Sequence, residues 1–197
     1  MTSDQINDTR EICSKLERRG ASGESIFHLC IQNSSKYNYI LAKRLLLHFP
    51  KMVNDIYISD DFYGESPLHI AIINENPHMA KMLLKHGADV HQRACGRFFC
   101  PEDQKAERID NLLSEYASLP SETDYSGYFY YGEYPLSWAA VLNQVECVRL
   151  LVAYGANVNK QDSNGNTALH MLVIWNNLVN SVNILVTILN KISKVPF

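Results

Sequence analysis

The chain has 197 residues, 46% hydrophobic and 20% charged, which supplies enough apolar material for a real core and excludes collagen-like or wholly disordered chains. Its formal net charge is −3 and it carries no long block of like charges, so it lacks the electrostatic footprint of a nucleic-acid or anionic-membrane binder.

Residues 1–20, MTSDQINDTREICSKLERRG, form a polar flank predicted to be helical. They lack the apolar stretch of a secretory signal, which implies a reducing compartment and five Cys held as thiols. From 21 to 197 the chain reads as one domain built on a recurring block. GESIFHLCI stands at Gly23, followed by a degenerate LAKRLLLHFPKMV at Leu41. GESPLHIAI at Gly64 is followed by MAKMLLKHGADV at Met79, and GEYPLSWAA at Gly132 by CVRLLVAYGANV at Cys147. GNTALHMLV at Gly165 opens a last, incomplete unit, which runs off the pattern after Trp175.

Each block predicts a short inner helix. Ser66 and Thr167 are cap residues able to accept a bond from an orphan backbone N–H, while Pro67 and Pro135 occupy the first helical position, where a missing N–H costs nothing. Small Ala71, Ala139 and Ala140 suit close packing. The second segment of each unit predicts an outer helix with an apolar face, through Met82, Leu83 and Leu84 or Leu150, Leu151 and Val152, ended by Gly87 or Gly155. A single such pair cannot bury its apolar side, so the pairs must stack.

The starts at Gly132 and Gly165 lie 33 residues apart, and the blocks fit the T-P-L-H-x-A pattern of ankyrin repeats. The expected fold is therefore all-α, an ankyrin-repeat solenoid of about four helix pairs. Between HGADV and YFYYGEYP no second pair can be found, and roughly one period is replaced by a finger insertion over 91–131. Within it, Pro101, Glu102 and Asp103 predict a helix start. Ile109, Leu112, Leu113 and Tyr116 share one helical face, and Pro120 ends the segment. GRFFC and YFYY are expected to be the two arms of the finger. Its rings, Phe98, Phe99, Tyr128, Phe129, Tyr130 and Tyr131, have two readings. They cover the finger's own base, or they form an exposed patch that a partner grips.

The aromatic pair Phe98–Phe99, the run from Tyr131 to Ser137 and the run from Asp162 to His170 resemble the cytosolic N-terminal ankyrin domain of vanilloid-type transient receptor potential cation channels. The match covers roughly Gly23 to Trp175. The resemblance implies a regulatory and assembly domain of a tetrameric, calcium-permeable channel, on the cytoplasmic side of the plasma or ciliary membrane. Neighbouring subunits would be its partners, through the finger, with calmodulin or another regulatory protein on the concave face. The alternative is a free-standing cytosolic adaptor for a soluble protein. Where some members place lysines for ATP, this chain has Glu24 and Leu29. The adenine-side positions fall near Phe62, Glu65 and Ile73, so ATP is not expected and no cofactor is implied.

Other chemistry is weakly supported. His86, His91, Cys95 and Cys100 lack the hook spacing of structural zinc, so no metal is expected. His69 and His170 occupy the T-P-L-H slot, a structural role that ties neighbouring turns. No phosphate loop of the P-loop type and no nucleophile elbow occurs, and no catalytic residue is proposed. Cys30 and Cys147 are expected to be buried, and Cys95 and Cys100 to be the reactive thiols. ALHMLVIWNNLVNSVNILVTIL, broken by Asn176, Asn177, Asn180 and Asn183, falls short of the ~18 apolar residues of a membrane span.

Overall fold

The computed structural model describes residues 16–33, 35–96, 132–174 and 182–192. Apart from Gly96, the two finger arms lie outside the described residues, as do the predicted helical face from Ile109 to Tyr116, Cys100, all six rings (Phe98, Phe99, Tyr128, Phe129, Tyr130, Tyr131) and most of the N-terminal flank.

Every regular element among the described residues is helical. In chain order these are α1 (Ile26–Gln32), α2 (Lys36–His48), a 3-10 turn (Pro50–Asn54), α3 (Pro67–Ile73), α4 (Pro77–Lys85), α5 (Pro135–Val141), α6 (Val145–Ala153), α7 (Ala168–Ile174) and α8 (Val182–Ile192). The seven-residue inner helices α1, α3, α5 and α7 stack in succession, and α4, α6 and α8 form the corresponding outer row. α3 packs directly on α5 and α4 on α6, so the solenoid continues across the insertion with no layer missing.

Local chemistry accounts for the helix ends. Ser35 Oγ accepts from the Asn38 amide at 3.1 Å and Asn76 Oδ1 from the Met79 amide at 2.9 Å, each filling a donor that the first turn leaves orphaned. α4 ends as Gly87 enters the left-handed region at φ 88°, with its amide on Leu84 O (3.1 Å) and the Ala88 amide on Leu83 O (3.0 Å). Gly155 repeats this arrangement at the end of α6. The turn from inner to outer helix needs the same left-handed step, taken by Glu75 (φ 50°) in the second layer and Asn143 (φ 54°) in the third.

The core runs as one body through the layers, from Phe27 and Ile31 through Leu68, Ile72 and Leu83 to Leu151, Leu172, Ile184 and Ile188. Ala71, Ala139 and Ala140 are fully buried, which allows consecutive inner helices to approach closely. Cys30 and Cys147 sit within this core.

Candidate partner-binding site

The base of the insertion is built from a backbone pairing that occurs in all four layers, in the first as the Gly20 amide donating to Glu24 O at 2.8 Å. In the second layer the Tyr57 amide donates to Glu65 O at 2.9 Å. In the fourth the Asp162 amide donates to Asn166 O, also at 2.9 Å. Ala94 makes the same bond to Glu133 O at 2.9 Å, joining the residues on either side of the finger. The insertion is thus an enlarged tip on a hairpin that the other layers close tightly. Cys95 and Gly96 extend the contact by donating to Tyr63 O at 2.9 and 3.0 Å. Gly96 is required there, because a Cβ would lie 2.3 Å from Asp61 O and 2.4 Å from the Tyr63 nitrogen.

A polar knot locks this base. Arg93, in the first residues of the insertion, forms an ion pair with Glu133, just after it, and also donates to Ser163 Oγ in the fourth-layer hairpin. Ser163 in turn donates to the second oxygen of Glu133. Glu133 is 2% exposed, so its charge is tolerated because it is paired and hydrogen-bonded. Burial works against the charge on Arg93, but the hydrogen bond and charge of Glu133 outweigh it and hold the guanidinium protonated.

The predicted capping residues fall in three successive layers. Ser66, Pro67 and His69 come together beside this base. His69 Nδ1 accepts from the Ser66 amide at 3.2 Å and lies 2.9 Å from Ser66 Oγ, so Nε2 carries the proton and donates to Glu133 O at 3.3 Å. The ring is fully buried, and that burial lowers its pKa to about 4. Pro135 is buried at the start of α5. Thr167 and His170 form a more exposed copy one layer on, with Thr167 Oγ1 2.8 Å from His170 Nδ1.

Sequence reasoning missed several residues. His28 repeats the arrangement in the first layer, with Nδ1 2.9 Å from Ser25 Oγ and Nε2 donating to Asp55 O at 3.2 Å. Its signal was present in the IFHL run. In the third block Ser137 stands in the His slot, and Trp138 beside it ties the turn instead, donating from Nε1 to Gly132 O at 2.9 Å. Arg93 carries no motif, and Ser163 stood within the run from Asp162 to His170 without a role, although a Glu after Gly23, Gly64 and Gly132 was visible in the repeat.

The Cys95 expectation is corrected. Its thiol is 2% exposed, because its backbone is pinned to Tyr63 where the chain leaves the stack. A cysteine so shielded is out of reach of an electrophile or oxidant in solution. No group of three or more His, Cys, Asp or Glu among the described residues could hold a metal ion. His91 Nε2 accepts from the Asn157 amide at 2.9 Å. No helix among the described residues is long and apolar enough to cross a membrane.

Family comparisons agree with this architecture. A model described as Ankyrin repeats (3 copies) matches residues 5–94, and one described as Ankyrin repeats (many copies) matches 136–186. The chain is 35% identical over 161 residues to Transient receptor potential cation channel subfamily V member 5 of Rattus norvegicus, covering 81% of this chain and 19% of that protein. It is 40% identical over 122 residues to subfamily V member 4 of Mus musculus, covering 60% of this chain and 11% of that one. With subfamily V member 6 of Homo sapiens it shares 33% over 164 residues, 83% of this chain and 18% of that protein. The chain therefore spans less than a fifth of the length of these relatives.

Proposed function

We propose, from the premise that this chain belongs to the ankyrin-repeat family and that its repeats are homologous to those of subfamily V cation channels, that it is a regulatory and assembly domain of such a channel. Ankyrin repeats are a protein-interaction fold, and the chain is not an enzyme. In this reading the domain lies on the cytoplasmic side of the membrane and contacts neighbouring subunits of a tetramer through its insertion.

One observation carries the reading. The Ala94–Glu133 bond closes the insertion at its base, so it leaves and rejoins the stack at one point while the helix layers pack without a gap. The layers on either side of the insertion pack on each other directly, and inserted loops are where binding residues concentrate.

The test is co-purification of the chain with a pore-bearing channel subunit, comparing the wild type with a Tyr128→Ser, Tyr130→Ser variant. Lost association at an unchanged melting temperature supports the partner reading of the rings. A lower melting temperature with association intact assigns them to the finger's own base. Failure of the wild-type chain to join any pore-bearing subunit, with capture of a soluble partner instead, would replace the channel reading with an adaptor.

A further inference from the structure

In the first two layers charge divides between the two sides of the stack. The segments 20–32 and 56–75, which hold α1, α3 and the second-layer hairpin, carry Glu24, Asp60, Asp61, Glu65 and Glu75 and no Lys or Arg. The outer helices α2 and α4 carry Lys36, Lys43, Arg44, Lys81 and Lys85 and no Asp or Glu. Along the acidic side, α1 and α3 also leave Ile26, Leu29 and Ile73 about 40% exposed. Acids bracket these side chains, with Glu24 and Glu65 at the entrances of the two helices and Glu75 beyond the end of α3.

A second observation singles out Glu65. It holds the same block position as Glu133, and only 7% of it is exposed. Glu133 has Arg93 and Ser163, whereas no hydrogen bond or ion pair of the Glu65 carboxylate occurs among the described residues. Glu24 holds the same position one layer earlier, and both charges act on the Tyr57 hydroxyl. Burial pushes Glu65 up to about 7, the expected response of a carboxylate lacking a cation.

We infer that the inner face of the first two layers receives a cationic amphipathic peptide segment, whose apolar side covers Ile26, Leu29 and Ile73 and whose Lys or Arg gives Glu65 the partner that Arg93 gives Glu133. This deepens the protein-contact reading above by naming the partner's chemistry. An acidic regulator such as calmodulin would meet like charge on this face, and so would the phosphates of ATP.

The test uses the full chain and two synthetic probes, an amphipathic helix of leucine and lysine and the same helix with glutamate replacing lysine, followed by calorimetry. The lysine probe should bind saturably and weaken as salt is raised. Glu65→Gln should weaken it roughly tenfold, the effect of losing one charge-assisted bond. Ile73→Ser should also weaken it while leaving the melting temperature unchanged, and the glutamate probe should not bind. Absence of saturable binding, equal binding of both probes, or binding indifferent to Glu65→Gln and Ile73→Ser would overturn the inference. Because no channel subunit is involved, this result stands or falls separately from the co-purification.

Discussion

The Ala94 amide and the Glu133 carbonyl, at the two ends of a long insertion, are joined by a 2.9 Å hydrogen bond, and beside that bond the buried Glu133 carboxylate is paired with the half-buried Arg93. Replacing Arg93 by Ala leaves Glu133 as an uncompensated buried charge, so the chain should lose about 3–5 kcal/mol of stability in urea unfolding. Joint replacement by Arg93→Met and Glu133→Leu should lose clearly less than Arg93→Ala, since no charge is stranded. A loss of equal size in both would mean that shape, and not charge, holds the base.

Glu65 makes stability fall as the solution becomes more alkaline. Its folded pKa, about 7, lies above its unconstrained value of 4.5. The carboxyl therefore favours folding fully below 4.5, and that contribution is lost as pH rises through 7. Glu65→Gln mimics the protonated group. It should raise stability at pH 8 by up to about 3 kcal/mol and have little effect at pH 4. Melting temperatures of the two proteins across that range give the answer, and parallel curves would refute the assignment.

His69 acts in the opposite direction. Burial depresses its pKa from 6.5 to about 4, so its contribution is present above 6.5 and lost as pH falls through 4. His28 behaves alike, with burial as the main cause and Asp55 partly offsetting it. His69→Gln should cost about 1–3 kcal/mol at pH 8, because the bonds to Ser66 and Glu133 are lost. Its stability should then decline less steeply between pH 6.5 and 4 than that of the wild type, read by denaturant titration at each pH.

Glu75 occupies a left-handed backbone position at φ 50° that the third layer assigns to Asn143. Glu75→Asn should stabilise the chain by about 0.5–1 kcal/mol, because the short Asn amide can hydrogen-bond its own backbone in the left-handed conformation and the longer Glu side chain does not. A shift in the urea midpoint at constant slope measures it.

The parts of this structure that the sequence revealed are those set by nearest neighbours along the chain. Gly87 and Gly155 ended the outer helices, Pro67 and Pro135 opened inner ones, and the small residues at 71, 139 and 140 marked close packing. Direct stacking of α3 on α5 was legible as well, because no second helix pair lies between HGADV and YFYYGEYP to form a layer between them. The Arg93–Glu133–Ser163 knot was hidden, because block spacing does not record which side chains of different hairpins meet. Its members lie 40 and 70 residues from Arg93, in hairpins brought together only when the layers pack. Cys95 was misjudged because its burial depends on Tyr63, a contact made where the chain turns away from the stack.

Four hairpins that share one closing bond enclose loops of very different length, from the tight turns at Gly20–Glu24 and Asp162–Asn166 to the excursion between Ala94 and Glu133. Residues can thus be added or removed at the tip without changing the register of the helices behind it. Evolution is free to lengthen and rewrite this tip while the scaffold stays still, much as an antibody varies its loops on a fixed framework.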